Sequence, residues 1–367
     1  MSSRSKISKR NFASNNQATA CMENSNKRIR IAVDAMGSDS APKSEIEGSL
    51  LAIQANNADL TNYNIEIVLV GNKEIIEKNF SQNNISINEM QNNISIIDAK
   101  EVITMHDDPV ASLKNKTDSS MLKGIQLLKE GKVDGYVSAG NTGATLTVAT
   151  MILGRISGVT RPTIGVFFPT IKNKPVFLAD VGATVECRAR FLYEYAIMGS
   201  IYSKAVFGIE NPSVGLLNVG EEDTKGAAEH LEAFKNFKAS NLNFYGNVEG
   251  NDILKGTVDI VVTDGYTGNV IIKFAEGFLS LFNASLKQYK EKNADKKDKL
   301  DIAVPIIKEL LLGFNYEEYG GTPLLGVKGT VIIGHGSSTP KAIKNMIFSA
   351  ISSIEKNVCG KIEQAIA

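Results

Sequence analysis

The feature that most constrains the fold of this 367-residue chain is a repeated pairing of a short apolar run with a cluster of small polar residues. Clusters rich in Gly, Asn, Asp and Ser lie at 34–39, 138–143, 180–183, 218–222, 264–269 and 334–338. Nearly all of them follow an apolar run, as do loops that leave the carboxyl ends of buried strands, where open α/β sheets bind their ligands. The pattern predicts one large site built from hydrogen-bond donors and small residues.

Apolar runs of strand type alternate with helical patterns along the chain, and this alternation predicts a parallel, doubly wound sheet. Strands are predicted at 28–33, 64–70, 94–97, 133–137, 163–168, 176–179, 214–218, 242–245, 260–263 and 331–333. Helices are predicted at 42–55, 73–80, 118–130, 145–153, 191–206, 227–237, 269–286 and 339–366.

Composition excludes several classes of function. Lys plus Arg and Asp plus Glu both total 40, so net charge gives no reason to expect a nucleic-acid partner. No run approaches the roughly 18 apolar residues of a membrane-spanning helix. The cysteines and histidines are too far apart to predict a disulfide framework or a metal site, which favours a cytoplasmic protein without metal; they are Cys21, Cys187, Cys359, His106, His230 and His335.

Two segments stand apart from the α/β pattern. Residues 1–28 are rich in Ser, Asn, Lys and Arg, which predicts a disordered extension before one α/β domain at 29–367; a transit peptide is disfavoured because no amphipathic stripe is present. A helical excursion is expected at about 285–318. There the Lys-rich run 287–299 precedes 301–316, whose apolar residues recur at helical spacing. This excursion packs on its own protomer or a partner subunit, or it dips into a membrane interface.

Two loops are candidates for holding phosphate. The 138–143 cluster opens into a helix, whose free N–H groups attract anions; the alternative is a turn in which Thr142 caps the helix. Its spacing matches neither the nucleotide P-loop nor the dinucleotide fingerprint, so neither ATP nor NAD is predicted. Lys225 follows another strand and suits a phosphate as a point charge, or it only balances the three acidic residues before it.

The remaining candidates concern the reacting group. Asp34 either orders the site or caps the following helix. Asn269 is placed to donate to a developing oxyanion, unless it or Thr267 is a helix cap. His335 lies between glycines and is either an acid/base or a solvent-facing residue, with Ser337 and Ser338 expected to cap the closing helix. Cys187 lacks an activating partner in the sequence and is interpreted as a structural thiol.

Taken together, these loops resemble the PlsX family, the bacterial phosphate acyltransferases of phospholipid synthesis. The resemblance runs from about Ile29 to the C-terminal helix. The matching stretches are 32–37, 118–121, 138–144, 180–183, 198–200, 214–222, 262–269, 319–326 and 335–337.

The resemblance implies a Rossmann-like three-layer α/β/α fold related to isopropylmalate dehydrogenases and phosphotransacetylases. It implies a cytoplasmic homodimer that associates peripherally with the membrane and transfers an acyl group from acyl carrier protein to inorganic phosphate, with no cofactor. With the loop positions it predicts Lys225 and Asn269 as catalytic residues. The predicted substrate- and phosphate-binding residues are Asp34, Gly37, Ser138, Asn141, Thr142, Gly143, Asp180, Asn218, Glu221, Asp264, Thr267 and His335.

The sequence departs from the family pattern in two places. In the first motif, at 36–42, the family usually has a second Gly and then a His after the Asp, and this chain has neither. Any role of that His is therefore absent here, or was never essential. The residues after Ala183 also differ from the usual ones. Three other functions stay open: a phosphotransacetylase-like enzyme that uses acyl-coenzyme A, a scaffold that only binds carrier protein, and, on fold alone, a decarboxylating dehydrogenase. An acidic carrier protein would need a basic surface, for which the candidates are Arg155, Arg161, Arg188, Arg190 and Lys204.

Overall fold

Strands from both halves of the chain pair into a single sheet. The structure is a computed structural model that describes residues 28–58, 64–82, 93–172, 174–311 and 320–366. Its strands are β1 (Arg28–Asp34), β2 (Asn64–Gly71), β3 (Ile94–Asp98), β4 (Gly135–Ser138), β5 (Thr163–Phe168), β6 (Val176–Ala179), β7 (Ser213–Leu217), β8 (Asn243–Val248), β9 (Ile260–Val262), β10 (Thr322–Leu325) and β11 (Thr330–Ile333). Their order across the sheet is β3-β2-β1-β4-β11-β10-β5-β6-β9-β7-β8.

Most neighbouring strands of this sheet run parallel, which confirms the predicted fold class. The exceptions are at the centre, where β10 is antiparallel to both β11 and β5, and β5 is antiparallel to β6. The parallel pairs bring the carboxyl ends of β1 and β4 to the same edge. Loops that leave neighbouring parallel strands therefore meet above that edge.

Both faces of the sheet are buried. Ile29, Ile31 and Val33 of β1 pack in one apolar cluster, whereas Ala32 belongs to another on the opposite side. Successive side chains of a strand point to opposite faces, so helices must cover both faces of this one. The result is the three-layer α/β/α arrangement that the family resemblance implied.

The covering helices follow the strands in the chain. They are α1 (Lys43–Ala58), α2 (Lys73–Gln82), α3 (Pro109–Asn115), α4 (Ser120–Lys129), α5 (Thr142–Ile152), α6 (Ala189–Phe207), α7 (Ala228–Lys238), α8 (Gly250–Lys255), α9 (Gly265–Lys292), α10 (Lys297–Leu311), α11 (Pro340–Glu355) and α12 (Val358–Ile366), with a 3₁₀ turn at Ala294–Lys296 between α9 and α10.

Three features differ from the sequence predictions. The single closing helix expected at 339–366 is wrong, because the chain breaks at Asn357, whose φ of 49° is left-handed, and forms α11 and α12. The N-cap of α11 is Thr339, whose hydroxyl accepts a hydrogen bond from the Ala342 N–H, and not Ser337 or Ser338. The strand β10 and the short helices α3 and α8 were not predicted.

The structure describes only part of the two segments that stand apart from the α/β pattern. Residues 1–27 lie outside the described residues, so the extension predicted at 1–28 stays a prediction. The excursion is described only as far as Leu311, where α10 ends. No helix in the described part of the chain is both long enough and apolar enough to cross a membrane. No group of three His, Cys, Asp or Glu residues is arranged to hold a metal ion within the same ranges.

Candidate active site

Five of the six polar clusters converge around one cavity of about 570 Å³ at the carboxyl edge of the sheet. Among the predicted site residues, Thr142, Gly143, Asn269 and His335 line it directly. Asp39, Gly140 and Gly182 supply lining from the clusters that contain Asp34, Ser138 and Asp180. The sequence analysis predicted that distant loops form one pocket, and five of the six clusters do so.

A buried carboxylate joins the first two clusters. Asp34 is 2% exposed and accepts hydrogen bonds from the Ser138 hydroxyl at 2.8 Å, the Tyr136 hydroxyl at 3.4 Å and the Met36 N–H at 3.2 Å. Ser138 in turn accepts from the Gly140 N–H at 3.1 Å. Burial raises the pKa of Asp34, although its hydrogen bonds oppose the rise. Asp34 therefore orders the loops below the cavity and does not cap α1.

Gly37 allows these two loops to touch. A Cβ atom at this position would lie 2.9 Å from the Gly140 nitrogen and 3.2 Å from the Ser138 hydroxyl oxygen. Such distances are too short for a side chain between two backbone segments. Glycine at 37 thus lets the loop after β1 pack directly on the loop after β4, so that both reach the cavity.

The start of α5 borders the cavity through Thr142 and Gly143. Asn141, rather than Thr142, is its N-cap: the side-chain oxygen accepts from the Ala144 N–H at 3.0 Å. The same amide donates to the carbonyls of Thr104 at 3.2 Å and Asp107 at 3.4 Å. Asn141 is therefore occupied in holding the loop, while the first-turn N–H groups of Thr142 and Gly143 have no intrahelical acceptor and can face an anion.

A second buried carboxylate orders the loop after β6. Asp180 is fully buried and accepts from the backbone N–H groups of Ile164 at 3.1 Å, Ala183 at 3.1 Å and Thr184 at 2.8 Å. Burial raises the pKa of Asp180 to about 6, against the effect of these donors. The loop so fixed carries Gly182 to the wall of the cavity.

The start of α9 is held by Asp264. This residue is the N-cap, and its carboxylate accepts from both the N–H and the hydroxyl of Thr267, at 2.8 and 2.7 Å. Neither Thr267 nor Asn269 is the cap. The Thr267 hydroxyl is therefore engaged by Asp264, whereas the Asn269 amide is exposed, has no hydrogen-bond partner among the described residues and faces Gly182.

His335 stands on the loop after β11 and is exposed to the cavity. Its Nδ1 lies 2.8 Å from the Ser337 hydroxyl and accepts a hydrogen bond from the Ser337 N–H at 3.2 Å. Because Nδ1 is an acceptor, a neutral ring carries its proton on Nε2. The ring is thus fixed by its own loop.

The sixth cluster does not reach the cavity. Asn218 donates to the Lys225 carbonyl at 2.9 Å, and Lys225 itself is half exposed with its Nζ 4.0 Å from Glu222. Neither of these residues, nor the exposed Glu221, is among the described residues that line the cavity. The structure therefore groups Lys225 with its own loop after β7 and not with Asn269.

Other lining residues were not predicted. Lys273 and Glu276 follow Asn269 on α9, and Asp39 and Ser338 stand on the loops after β1 and β11. The Ser338 hydroxyl is buried and lacks a hydrogen-bond partner among the described residues. Helical periodicity could have identified Lys273, since residues four apart share one face of a helix.

Comparison with known proteins identifies the family. The family model described as "Fatty acid synthesis protein" matches residues 29–361. Phosphate acyltransferase from Aliarcobacter butzleri is 42% identical over 338 residues, which cover 92% of this chain and 97% of that protein. The chain belongs to the PlsX family of phosphate acyltransferases.

Further matches agree with this assignment. The phosphate acyltransferase of Nitratiruptor sp. is 41% identical over 341 residues, which cover 92% of this chain and 98% of the relative. As a member of this family the protein is an acyltransferase, which confirms the sequence prediction of an enzyme and excludes a dehydrogenase.

Solved structures show the same fold. The EutD phosphotransacetylase from Staphylococcus aureus superposes with a TM-score of 0.56 at 18% identity, and a phosphotransacetylase from Streptococcus pyogenes with 0.58 at 16%. Each alignment covers 89% of this PlsX chain and 94% of the other chain. The predicted phosphotransacetylase-like architecture is confirmed.

Proposed function

We propose that this enzyme transfers a fatty acyl group from an acyl carrier protein thioester to inorganic phosphate, and that the acyl phosphate serves phosphatidic acid synthesis. The observation that carries the proposal is the composition of the cavity. The starts of α5 and α9 contribute polar groups and backbone N–H donors to it, which suit phosphate and a developing oxyanion. A fatty chain needs an apolar wall as well. The cavity provides apolar side chains from Ile164, Val166, Phe167, Val181, Ile272 and Met346.

The proposed reaction needs no covalent intermediate on the protein. A phosphate oxygen attacks the thioester carbonyl carbon, a C–O bond forms, and the carbonyl oxygen becomes an oxyanion. The Asn269 amide donates to this oxyanion, while the first-turn N–H groups at Thr142 and Gly143 hold the phosphate. The C–S bond then breaks and the thiolate leaves; with a thiol pKa of roughly 8.5 it needs little help from an acid. Positioning and charge stabilisation supply the catalysis.

The environment of Cys187 supports direct attack by phosphate. Burial, followed by the nearby carboxylates of Asp180 and Asp264, raises the pKa of Cys187 to about 12. The thiolate is the nucleophilic form of cysteine, and at neutral pH a thiol with this pKa is almost fully protonated. Cys187 is therefore a poor acceptor for an acyl group.

Lys225 keeps its proposed role as a second phosphate ligand. Its side chain is 48% exposed and its contact with Glu222 is long, so little holds it in place. Gly220 and Gly226 flank the segment, and Gly226 adopts a φ of 99°. The proposal requires that this loop brings Lys225 toward the cavity when substrates bind.

The carrier protein is proposed to dock on a groove lined by arginines. Arg155, Arg161 and Arg188 line one groove of about 1,210 Å³. Of the other two candidates, Arg190 pairs with Glu194 at 2.8 Å and Lys204 with Glu210 at 2.7 Å. Glu186 and Glu229 also line this groove, but the three guanidinium groups outnumber them and suit an acidic partner.

We propose that the protein forms a homodimer and associates peripherally with the membrane. The contact surface in this proposal is an exposed apolar stripe on α9 and α10. Phe274, Phe278 and Leu281 are 75%, 57% and 65% exposed and follow one face of α9, while Ile302 and Ile306 are 69% and 54% exposed on α10. A stripe of this kind favours a covering partner, either a second copy or a lipid surface. Light scattering and sedimentation with anionic vesicles measure the two associations separately. Cytoplasmic location remains part of the same proposal.

The donor is tested by assaying two thioesters side by side. The full chain is mixed with a fatty acyl carrier protein or with the matching acyl-coenzyme A, with and without phosphate, and acyl phosphate is trapped as a hydroxamate. We expect phosphate-dependent product from both or from the carrier protein alone, with higher kcat/KM for the carrier protein. Higher kcat/KM for acyl-coenzyme A would instead favour the phosphotransacetylase-like alternative. If neither thioester gave acyl phosphate, the result would favour the third alternative, a scaffold that only binds carrier protein.

A further inference from the structure

Lys273 places a positive charge in the cavity one helical turn after Asn269. Both residues lie on α9 and both line the cavity. Side chains four residues apart share one face of a helix, and each leans toward the helix N-terminus. The Lys273 stem therefore shares the cavity-facing side of α9 with Asn269, while its Nζ reaches Glu276 three residues later.

The charges around the cavity are few. Among the described lining residues, Lys273 is the one lysine or arginine, and the acidic side chains are Asp39 and Glu276. Phosphate carries one to two negative charges at neutral pH, so a binding site for it gains from a cation. Lys225, the other lysine in question, is outside this lining.

The present partner of Lys273 is weakly held. Its Nζ lies 2.8 Å from the Glu276 carboxylate, with side-chain exposures of 57% and 41%. Exposed ion pairs of this kind contribute little to stability. A phosphate with up to two negative charges attracts an ammonium group more strongly than one solvated carboxylate does.

We infer that Lys273 is a cation that binds inorganic phosphate in this cavity, and that phosphate replaces Glu276 as the partner of its ammonium group. The inference rests on the proposed function for its substrate. Lys273 then contacts the nucleophile, while Asn269 one turn earlier contacts the carbonyl oxygen of the thioester. The spacing of the two residues on α9 aligns phosphate and thioester.

The test compares Lys273→Met, Lys273→Arg and Glu276→Gln with a matched control, Lys287→Met, an exposed lysine farther along α9. Circular dichroism confirms folding, and two readouts follow: calorimetric titration with inorganic phosphate alone, and KM for phosphate at saturating thioester. We expect Lys273→Met to weaken phosphate binding and raise KM about tenfold or more, with a smaller change in kcat. Lys273→Arg should recover part of the loss, and Lys287→Met should change neither value.

Glu276→Gln keeps the inference testable if Lys273→Met fails to fold. Removal of the competing carboxylate should strengthen phosphate binding and lower KM about twofold or more. The inference is overturned if KM and the titration stay within twofold of wild type in Lys273→Met, if only kcat falls, or if Glu276→Gln binds phosphate no better. Absence of acyl phosphate from the wild-type enzyme would instead refute the proposed function, while the titration would still decide whether Lys273 binds phosphate.

Discussion

The Ser138 hydroxyl donates a 2.8 Å hydrogen bond to the carboxylate of Asp34. These residues end β4 and β1, which are adjacent parallel strands. The bond therefore joins two loops that are about a hundred residues apart in the sequence and that both border the cavity. Both residues are buried, so removal of either one leaves the other polar group without this hydrogen-bond partner and without water to replace it.

Ser138→Ala is expected to destabilise the fold by about 1–3 kcal/mol, because the buried Asp34 carboxylate loses a donor. Urea unfolding at pH 7 measures the change. Ser157→Ala is the control, since Ser157 is exposed and its replacement should change stability by no more than about 0.5 kcal/mol. Equal stabilities of the two variants would contradict the role assigned to this bond.

Glu45 makes stability depend on pH near neutrality. It is fully buried, accepts from the Ser38 N–H at 2.9 Å, and burial raises its pKa from 4.5 to about 7. Because the folded state retains this proton longer than the unfolded state, the free energy of unfolding falls as pH rises from about 4.5 to 7. Glu45→Gln should remove about 3 kcal/mol of that decline.

The measurement is denaturant unfolding of both proteins at steps between pH 4.5 and 8. Asp180, whose pKa is raised to about 6, should leave a residual decline in the variant. Parallel curves for wild type and Glu45→Gln would show that Glu45 does not titrate in this range.

Gly268 is required by close packing at the start of α9. A Cβ at this position would lie 1.9 Å from the Asp180 carbonyl oxygen, which belongs to a fixed loop. Gly268→Ala should therefore destabilise the protein by about 3 kcal/mol or more, or prevent its accumulation. Gly277→Ala on the same helix meets no atom within 4 Å and should be neutral or stabilising by up to about 1 kcal/mol. Thermal unfolding of the pair decides the point.

Asn269→Ala and Lys225→Ala are each expected to lower kcat about 100-fold or more while the fold is kept, because each removes a donor to charge in the proposed transition state. Phosphate-dependent thiol release measures the rate. Asn283→Ala, an exposed amide later on α9, is the matched control and should be unaffected. A rate near wild type in both variants would remove these two assignments; a normal rate in Lys225→Ala alone would leave Lys273 as the phosphate cation.

Local sequence patterns predicted the helices and strands whose conformation is set by residues close together in the sequence. The bounds of β5 and β6 agree with the prediction residue for residue, because each is a buried apolar run with clear ends. The strand β10 was missed since it contains Pro323 and directly follows Gly320 and Gly321, a composition typical of turns. The break at Asn357 lacks a Gly or Pro signal.

The site was predictable as a set of loops but not as a set of contacts. The strands β7 and β9 are adjacent and parallel, so the loops that carry Lys225 and Asn269 leave neighbouring strands. No local pattern shows that the Lys225 side chain lies against its own loop, near Glu222. Lys225 was therefore expected beside Asn269 but lies outside the cavity lining. Lys273 was missed although the predicted helix at 269–286 contains it, because the sequence analysis considered the strand-end loops and not the helix face that follows Asn269.

The most direct test of the account asks whether phosphate itself takes the acyl group. The enzyme is mixed with a stoichiometric amount of fatty acyl carrier protein, first without phosphate and then with it, and the intact chain and the products are analysed by mass spectrometry. The account predicts an unmodified chain throughout and one acyl phosphate for each thioester consumed after phosphate is added. A chain that gains the mass of the acyl group before phosphate is added, on Cys187 or any other side chain, and then loses it to phosphate would contradict it.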